Sequence, residues 1–198
     1  MKLLLASQSP RRRQLIGEVG FPVEFVSIDV EEKVPEGTSA SDIAEALARL
    51  KSTACPDELL GEDVVLVTAD TVVVLGDKVL GKPADRTMAL EMLRALSGRG
   101  HTVYTGVCLR RGRRVLSFTE ATEVHFRHME EEELVYYVDR FRPYDKAGAY
   151  GIQEWIGMVG ISRIEGCFYN VMGLPVARVY EGVRQLCPDW HPVADAIS

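Results

Sequence analysis

Val64-Val65-Leu66-Val67-Thr68 is an uncharged, valine-rich run; Ala69-Asp70-Thr71 follows it, and Val72-Val73-Val74-Leu75 continues extended. A nearly all-apolar run of this kind marks a strand buried on both faces, as in a sheet covered by helices. Gly76-Asp77 then turns the chain into Lys78–Leu80 as a hairpin. Asp70 is the odd residue in this stretch. In open α/β sheets ligands gather at the carboxyl ends of strands. An aspartate placed there can hold a divalent cation or accept a proton from water. The alternative is an aspartate that caps a turn.

Working outward, Lys2–Ala6 is a short apolar run broken by Ser7-Gln8-Ser9-Pro10. Arg11–Val19 then has helical spacing, with Leu15, Ile16 and Val19 on one face, so the chain opens as strand, loop and helix. Val23–Ile28 reads as a strand, Asp29–Gly37 as an acidic loop and Ser39–Ala54 as a helix capped by Ser39 or Ser41. Asp85–Leu96 is an amphipathic helix ended near Gly98. His101–Arg111 and Arg114–Arg127 form a long hairpin about Gly112. Glu130–Phe141 is a helix with four glutamates at its start, where acid suits the helix dipole. Arg142–Gln153 reads as a loop, Val159–Ile164 as a strand, Pro175–Leu186 as the last helix and Cys187–Ser198 as a peripheral tail. Helices interspersed with apolar strands give an α/β fold with some antiparallel hairpin pairing.

The chain has 198 residues, 46% hydrophobic, 26% charged and 8% aromatic. These values exclude a disordered tail, a collagen-like repeat and a disulfide-dense mini-domain. A chain of this length buries roughly 70% of its unfolded surface, enough for one domain or two small lobes. Cys55, Cys108, Cys167 and Cys187 are far apart and make no CxxC pair, so reduced thiols are expected. The N-terminal apolar run is too short for a signal peptide, and no run approaches the ~18 residues of a membrane span. A soluble cytoplasmic protein with no membrane partner is expected. The net charge of −6 argues against nucleic acid as a partner.

Against that acidity, Arg11-Arg12-Arg13 stands at the start of a helix, where cations oppose the dipole. Such a conflict points to function: helix-start N–H groups and arginine forks bind phosphate. A solvated basic face is the alternative. Gly81-Lys82-Pro83 could project its lysine as a point charge for phosphate. In Asp145-Lys146-Ala147-Gly148-Ala149-Tyr150-Gly151-Ile152-Gln153, small residues let the backbone approach a ligand, and Gln153 can read a base edge; a surface loop is the alternative. Glu31 or Glu32 could join Asp70 at a metal, or simply belong to a solvated acidic loop. His125 and His128 would point to opposite faces of a strand, so no histidine metal site is expected. Trp155 and Trp190 read as packing residues.

Taken together these motifs resemble the Maf family of nucleoside triphosphate pyrophosphatases. The matching pieces are LASQSPRRRQLI (residues 5–16), ADTVV (69–73), GKP (81–83), LSG (96–98), DKAGAYGIQ (145–153) and GLP (173–175). The resemblance implies one domain over residues 1–198, related to the ITPase fold. Its mixed, mostly parallel central sheet would be flanked by helices, with two lobes around a deep nucleotide-binding cleft. It implies hydrolysis of a nucleoside triphosphate to the monophosphate and pyrophosphate with Mg²⁺ or Mn²⁺. Arginine after SP, threonine after the aspartate and AGAYGIQ in the late loop resemble the subgroup acting on dTTP and UTP. The 7-methyl-GTP subgroup instead has tryptophan, DQ and a loop close to AGSFKSEG.

Carried over by position, Asp70 matches the catalytic acceptor, and Glu32 the acidic residue that helps hold the metal with it. Ser7, Arg11, Arg12, Lys51, Lys82 and Gln153 match substrate contacts, Lys82 with a catalytic part. Arg11, Thr71 and Gln153 match specificity positions. Arg13 is left as a surface residue, and Glu154-Trp155 departs from the glycine-rich continuation common in the family. A homodimer is the expectation from symmetry and family habit. The rival readings are a 7-methyl-GTP pyrophosphatase and a non-enzymatic nucleotide-binding regulator of septum formation.

Overall fold

The structure is a computed structural model and describes residues 1–31 and 37–190. In chain order the elements are β1 (Lys2–Ala6), α1 (Pro10–Gly17), β2 (Val23–Val26), α2 (Ala40–Thr53), β3 (Val64–Leu75), β4 (Lys78–Leu80), α3 (Arg86–Leu96), β5 (Gly100–Arg111), β6 (Arg114–Phe126), α4 (Glu131–Phe141), α5 (Trp155–Gly160), β7 (Ile161–Glu165), α6 (Phe168–Met172) and α7 (Val176–Leu186). The fold is α/β. Its seven-stranded sheet runs β2-β1-β3-β5-β6-β7, with β4 also on β3. The sheet is mixed: β1 lies parallel to β2 and β3, while β4 and β7 are antiparallel to β3 and β6.

The decisive valine stretch is one continuous twelve-residue strand. Val64–Ala69 and Val72–Leu75 are buried, and Asp70 and Thr71 between them are half-buried. The pairing explains the exception. The β1 ladder ends at Leu5↔Val67, and the β4 ladder begins at Val73↔Leu80. Asp70 therefore sits within β3, just past the carboxyl end of β1.

The described chain forms two compact units. The first contains Met1–Asp70, Thr105–Glu120 and the chain from Gly173 onward; the second contains Thr71–Tyr104 and Ala121–Met172. β3, β5 and β6 contribute residues to both.

In the first unit, Leu3, Leu5, Ile16, Leu109, Val179 and Val183 have essentially no exposed surface, and Leu66 packs with Leu4, Ala6, Cys55 and Val64 in a separate buried cluster. Helix α2 is held against β3 and β5. The Thr68 hydroxyl is 2.7 Å from the Ala48 carbonyl, to which it donates, and a Cβ on Gly106 would fall 2.2 Å from the Ala44 backbone. Only glycine allows that approach. Ser39 caps α2 by accepting from the Asp42 N–H. The C-terminal segment corrects one expectation: Cys187 and Trp190 are buried, and Trp190 packs on Phe21 at 4.4 Å between centroids. Two aromatic faces removed from water outweigh the polar residues around them.

In the second unit, Asp85 caps α3 and a Glu130/Glu133 capping box starts α4. The Arg127 guanidinium holds the Glu133 carboxyl down to about 2. Buried Asn170 on α6 donates to the Val103 carbonyl and to Thr122 Oγ1, tying α6 to β5 and β6. His101, Phe126 and Tyr150 form an aromatic cluster. A short helix, α5, takes Val159 and Gly160 from the expected strand, so β7 starts only at Ile161. The Met158 N–H is already bonded to the Glu154 carbonyl in a helical turn.

Candidate active site

The loop Ser7-Gln8-Ser9 leaves β1 and enters α1. Ser9 is the N-cap, accepting from the Arg12 N–H, and Ser7 Oγ in turn accepts from the Ser9 N–H at 3.2 Å. Pro10 at the helix start presets the backbone. Arg12 Nε donates to the Gly173 carbonyl at 2.8 Å and Nη1 to the Ala69 carbonyl at 2.8 Å. One guanidinium thus ties α1, the residue before Asp70 and the GLP motif together. Arg13 is no stray surface residue. It is half-buried, its Nε donates to the Ser7 carbonyl at 2.9 Å, and it lies over the Phe25 ring. Arg11 is half-buried in the same turn.

Lys51, in the last turn of α2, meets Asp70 at 2.5 Å between Nζ and Oδ1. Both side chains are mostly covered, at 16% and 15% exposure. Close packing of α2 at Gly106 and Thr68 gives the lysine its reach. The Lys51 ammonium, donating to Oδ1, fixes the direction of the Asp70 carboxylate. Ser7, Arg11, Arg12, Lys51 and Asp70 all belong to the first unit.

Thr71, Lys82 and Gln153 belong to the second. Thr71 is half-buried directly after Asp70, while Lys82 and Gln153 are exposed. Two distant motifs meet within this unit: the Gly148 N–H donates to the Gly81 carbonyl at 3.1 Å, joining the late loop to GKP. Ala149, fully buried, has a left-handed backbone (φ 61°). Such a conformation costs a non-glycine residue of order 1 kcal/mol and persists only where the surroundings impose it.

Asp70 offers hard carboxylate oxygens, one of them shared with Lys51. Magnesium is ordinarily held by one or two carboxylates together with substrate phosphates, so this donor chemistry fits an oxygen-seeking divalent cation. Glu32, the expected second carboxylate, lies outside the described residues, and neighbouring Glu31 is exposed. Among the described residues, Glu123, His125 and Glu165 also bring donor atoms within 4.8 Å of one another. Sequence spacing compared His125 with His128; the cross-strand partner Glu165, opposite Glu123, could not be read without the β6–β7 register. Both glutamates are exposed, and Glu165 pairs with Arg163, as in an ordinary strand-face charge network. All four cysteines are free thiols. Among the described residues no helix is long and apolar enough to cross a membrane.

A lysine-paired aspartate within the long strand, beside a capped arginine-rich helix, marks an α/β protein with a charged cluster built around one carboxylate. The chain belongs to the Maf family, whose model, described as Maf-like protein, matches residues 2–186. A dTTP/UTP pyrophosphatase of Bacteroides thetaiotaomicron is 46% identical over 186 residues, covering 93% of this chain and 96% of that protein. A dTTP/UTP pyrophosphatase of Porphyromonas gingivalis is 45% identical, covering 92% and 93%. The fold is similar to that of the Staphylococcus aureus Ham1 protein, with a TM-score of 0.53 at 14% identity over 94% of this chain and all of that one.

Proposed function

We propose that this protein is a nucleoside triphosphate pyrophosphatase that hydrolyses dTTP and UTP to the monophosphate and pyrophosphate. The observation that carries the reading is the Lys51–Asp70 pair set beside the Arg12 anchor. The names of the relatives supply the substrate. Asp70 orients a water and takes its proton; the water oxygen bonds to the α-phosphorus, and the bond to the α–β bridging oxygen breaks. Lys51 keeps the carboxylate aimed. Arg11, Arg12 and Lys82 offset phosphate charge, and Ser7 adds a hydroxyl donor. Thr71 and Gln153 select the pyrimidine. Asp70 and Glu32 would hold Mg²⁺ or Mn²⁺, which would add charge neutralisation on the phosphates. Positioning and charge neutralisation supply most of the acceleration in phosphoryl chemistry.

The proposal extends to a cytoplasmic, house-cleaning homodimer. Four free thiols suit a reducing compartment. Dimerisation is tested by light scattering, and a link to septum formation by the division phenotype of an Asp70→Asn strain. The deciding experiment measures pyrophosphate release across a nucleotide panel with Mg²⁺ or Mn²⁺, and again with EDTA. Release from dTTP and UTP above all others is expected, and its loss with EDTA. A preference for 7-methyl-GTP, or no release from any nucleotide, overturns the reading.

A further inference from the structure

Glu154 and Lys146 flank the late loop, and the proposed function assigns neither a role. Lys146 is buried, its side chain 8% exposed. A cation so covered persists only when paired. Its Nζ lies 2.7 Å from Asp145 Oδ1 and 3.1 Å from Glu154 Oε1. The second Glu154 oxygen accepts from the Tyr137 hydroxyl on α4. That hydroxyl in turn accepts from the Gly151 N–H at 3.0 Å. The turn is closed by the Glu154 N–H, which donates to the Gly151 carbonyl at 3.0 Å.

Both ends of the segment 151–154 are therefore pinned by one buried network. A Cβ on Gly151 would fall 2.9 Å from Glu154 Cδ and 3.1 Å from Lys146 Cε, so the backbone crosses directly over the ion pair. Ile152 is buried as an anchor, and Gln153 alone of the four is exposed. A side chain that projects from a doubly anchored turn has little freedom to sample other directions. Preorganisation of this kind raises selectivity by removing the ordering cost of binding.

We propose that Tyr137, Glu154 and Lys146 are positioning residues that fix the aim of Gln153 and so set base selectivity. The proposal rests on the reading of Gln153 as the base-selecting residue.

The test is a double-mutant cycle in the full chain. UTP and GTP turnover are measured for wild type, Gln153→Ala, Tyr137→Phe, Glu154→Gln and each of the last two combined with Gln153→Ala, with thermal melts for all. With Tyr137→Phe or Glu154→Gln, UTP selectivity over GTP falls about tenfold, the equivalent of one misplaced polar contact. The loss falls on KM, with kcat within about threefold. Combined with Gln153→Ala, neither change lowers selectivity further, because the network acts through that side chain. Glu154→Asp recovers part of the loss. If Glu154→Gln fails to fold, Tyr137→Phe removes one oxygen atom and carries the same test. Unchanged selectivity in both single network variants, or additive losses in the doubles, overturns the network while leaving Gln153 as base reader. Unchanged selectivity in Gln153→Ala itself overturns the base-reading assignment, and the proposal with it.

Discussion

Lys51 Nζ and Asp70 Oδ1 lie 2.5 Å apart at the junction of α2 and β3. The two groups come from segments nineteen residues apart. Asp70→Asn lowers pyrophosphate release at least ~10²-fold, the scale of a lost general base. Its stability cost stays near 1–2 kcal/mol, because the pair retains some solvent. Stopped turnover assays and a thermal melt measure the two separately. Near wild-type release by this variant would remove Asp70 from the chemistry.

Arg12→Lys is not a conservative change here. The planar fork reaches two carbonyls at once, those of Gly173 and Ala69, and an ammonium cannot hold both in that geometry. Loss of a charged hydrogen bond costs about 2 kcal/mol, roughly 4–8 °C in a chain of this size. Arg13→Lys, which gives up one carbonyl and a ring contact, should melt closer to wild type. Equal melting temperatures for Arg12→Lys and wild type would show that the tie carries no weight.

Gly106→Ala tests the seating of α2. The added carbon would meet backbone atoms of Ala44 and Glu45 at 2.2 Å, and backbone cannot rotate away as a side chain can. Overpacking of this severity costs about 3 kcal/mol or more. Moving α2 also moves Lys51, so activity falls beyond what the fraction unfolded explains. Circular dichroism and turnover on the same sample check both.

His101 predicts a pH response of stability. Burial is the main cause that lowers its pKa to about 4, with a smaller contribution from His125, and its Nε2 lies 2.7 Å from the Tyr150 hydroxyl. The folded chain thus holds the ring neutral where the unfolded chain, at about 6.5, would protonate it. The contribution is complete above pH 6.5 and is lost as pH falls toward 4, amounting to about 3 kcal/mol. Urea titrations of wild type and His101→Gln at pH 7 and pH 4.5 should show a smaller pH dependence in the variant. Parallel losses in the two would rule this out.

Much of this was legible beforehand. The buried valine strand, the Ser39 cap and the hairpin about Gly112 follow from local pattern alone. Gly81 and Gly148 each stand in a motif the sequence shows, yet their hydrogen bond joins motifs 67 residues apart in the chain and has no local signature. Arg12 and Arg13 read as a phosphate clamp and a spare. Their carbonyl partners come from Ser7, Ala69 and Gly173, which only the folded chain brings near. Helix α5 has no such signature, because Val159, Ile161 and Ile164 favour a strand while the turn at Gly151–Glu154 commits the backbone to a helix.

Arg12 also sets an order of events during synthesis. Its two carbonyl partners lie 57 and 161 residues further along the chain. The first is available once Ala69 has been made; the second only after Gly173 has been added. Contacts of such separation form late and slowly. A chain that ends between Ala69 and Gly173 therefore displays Ser7, Lys51 and Asp70 with only one of the two ties that Arg12 makes.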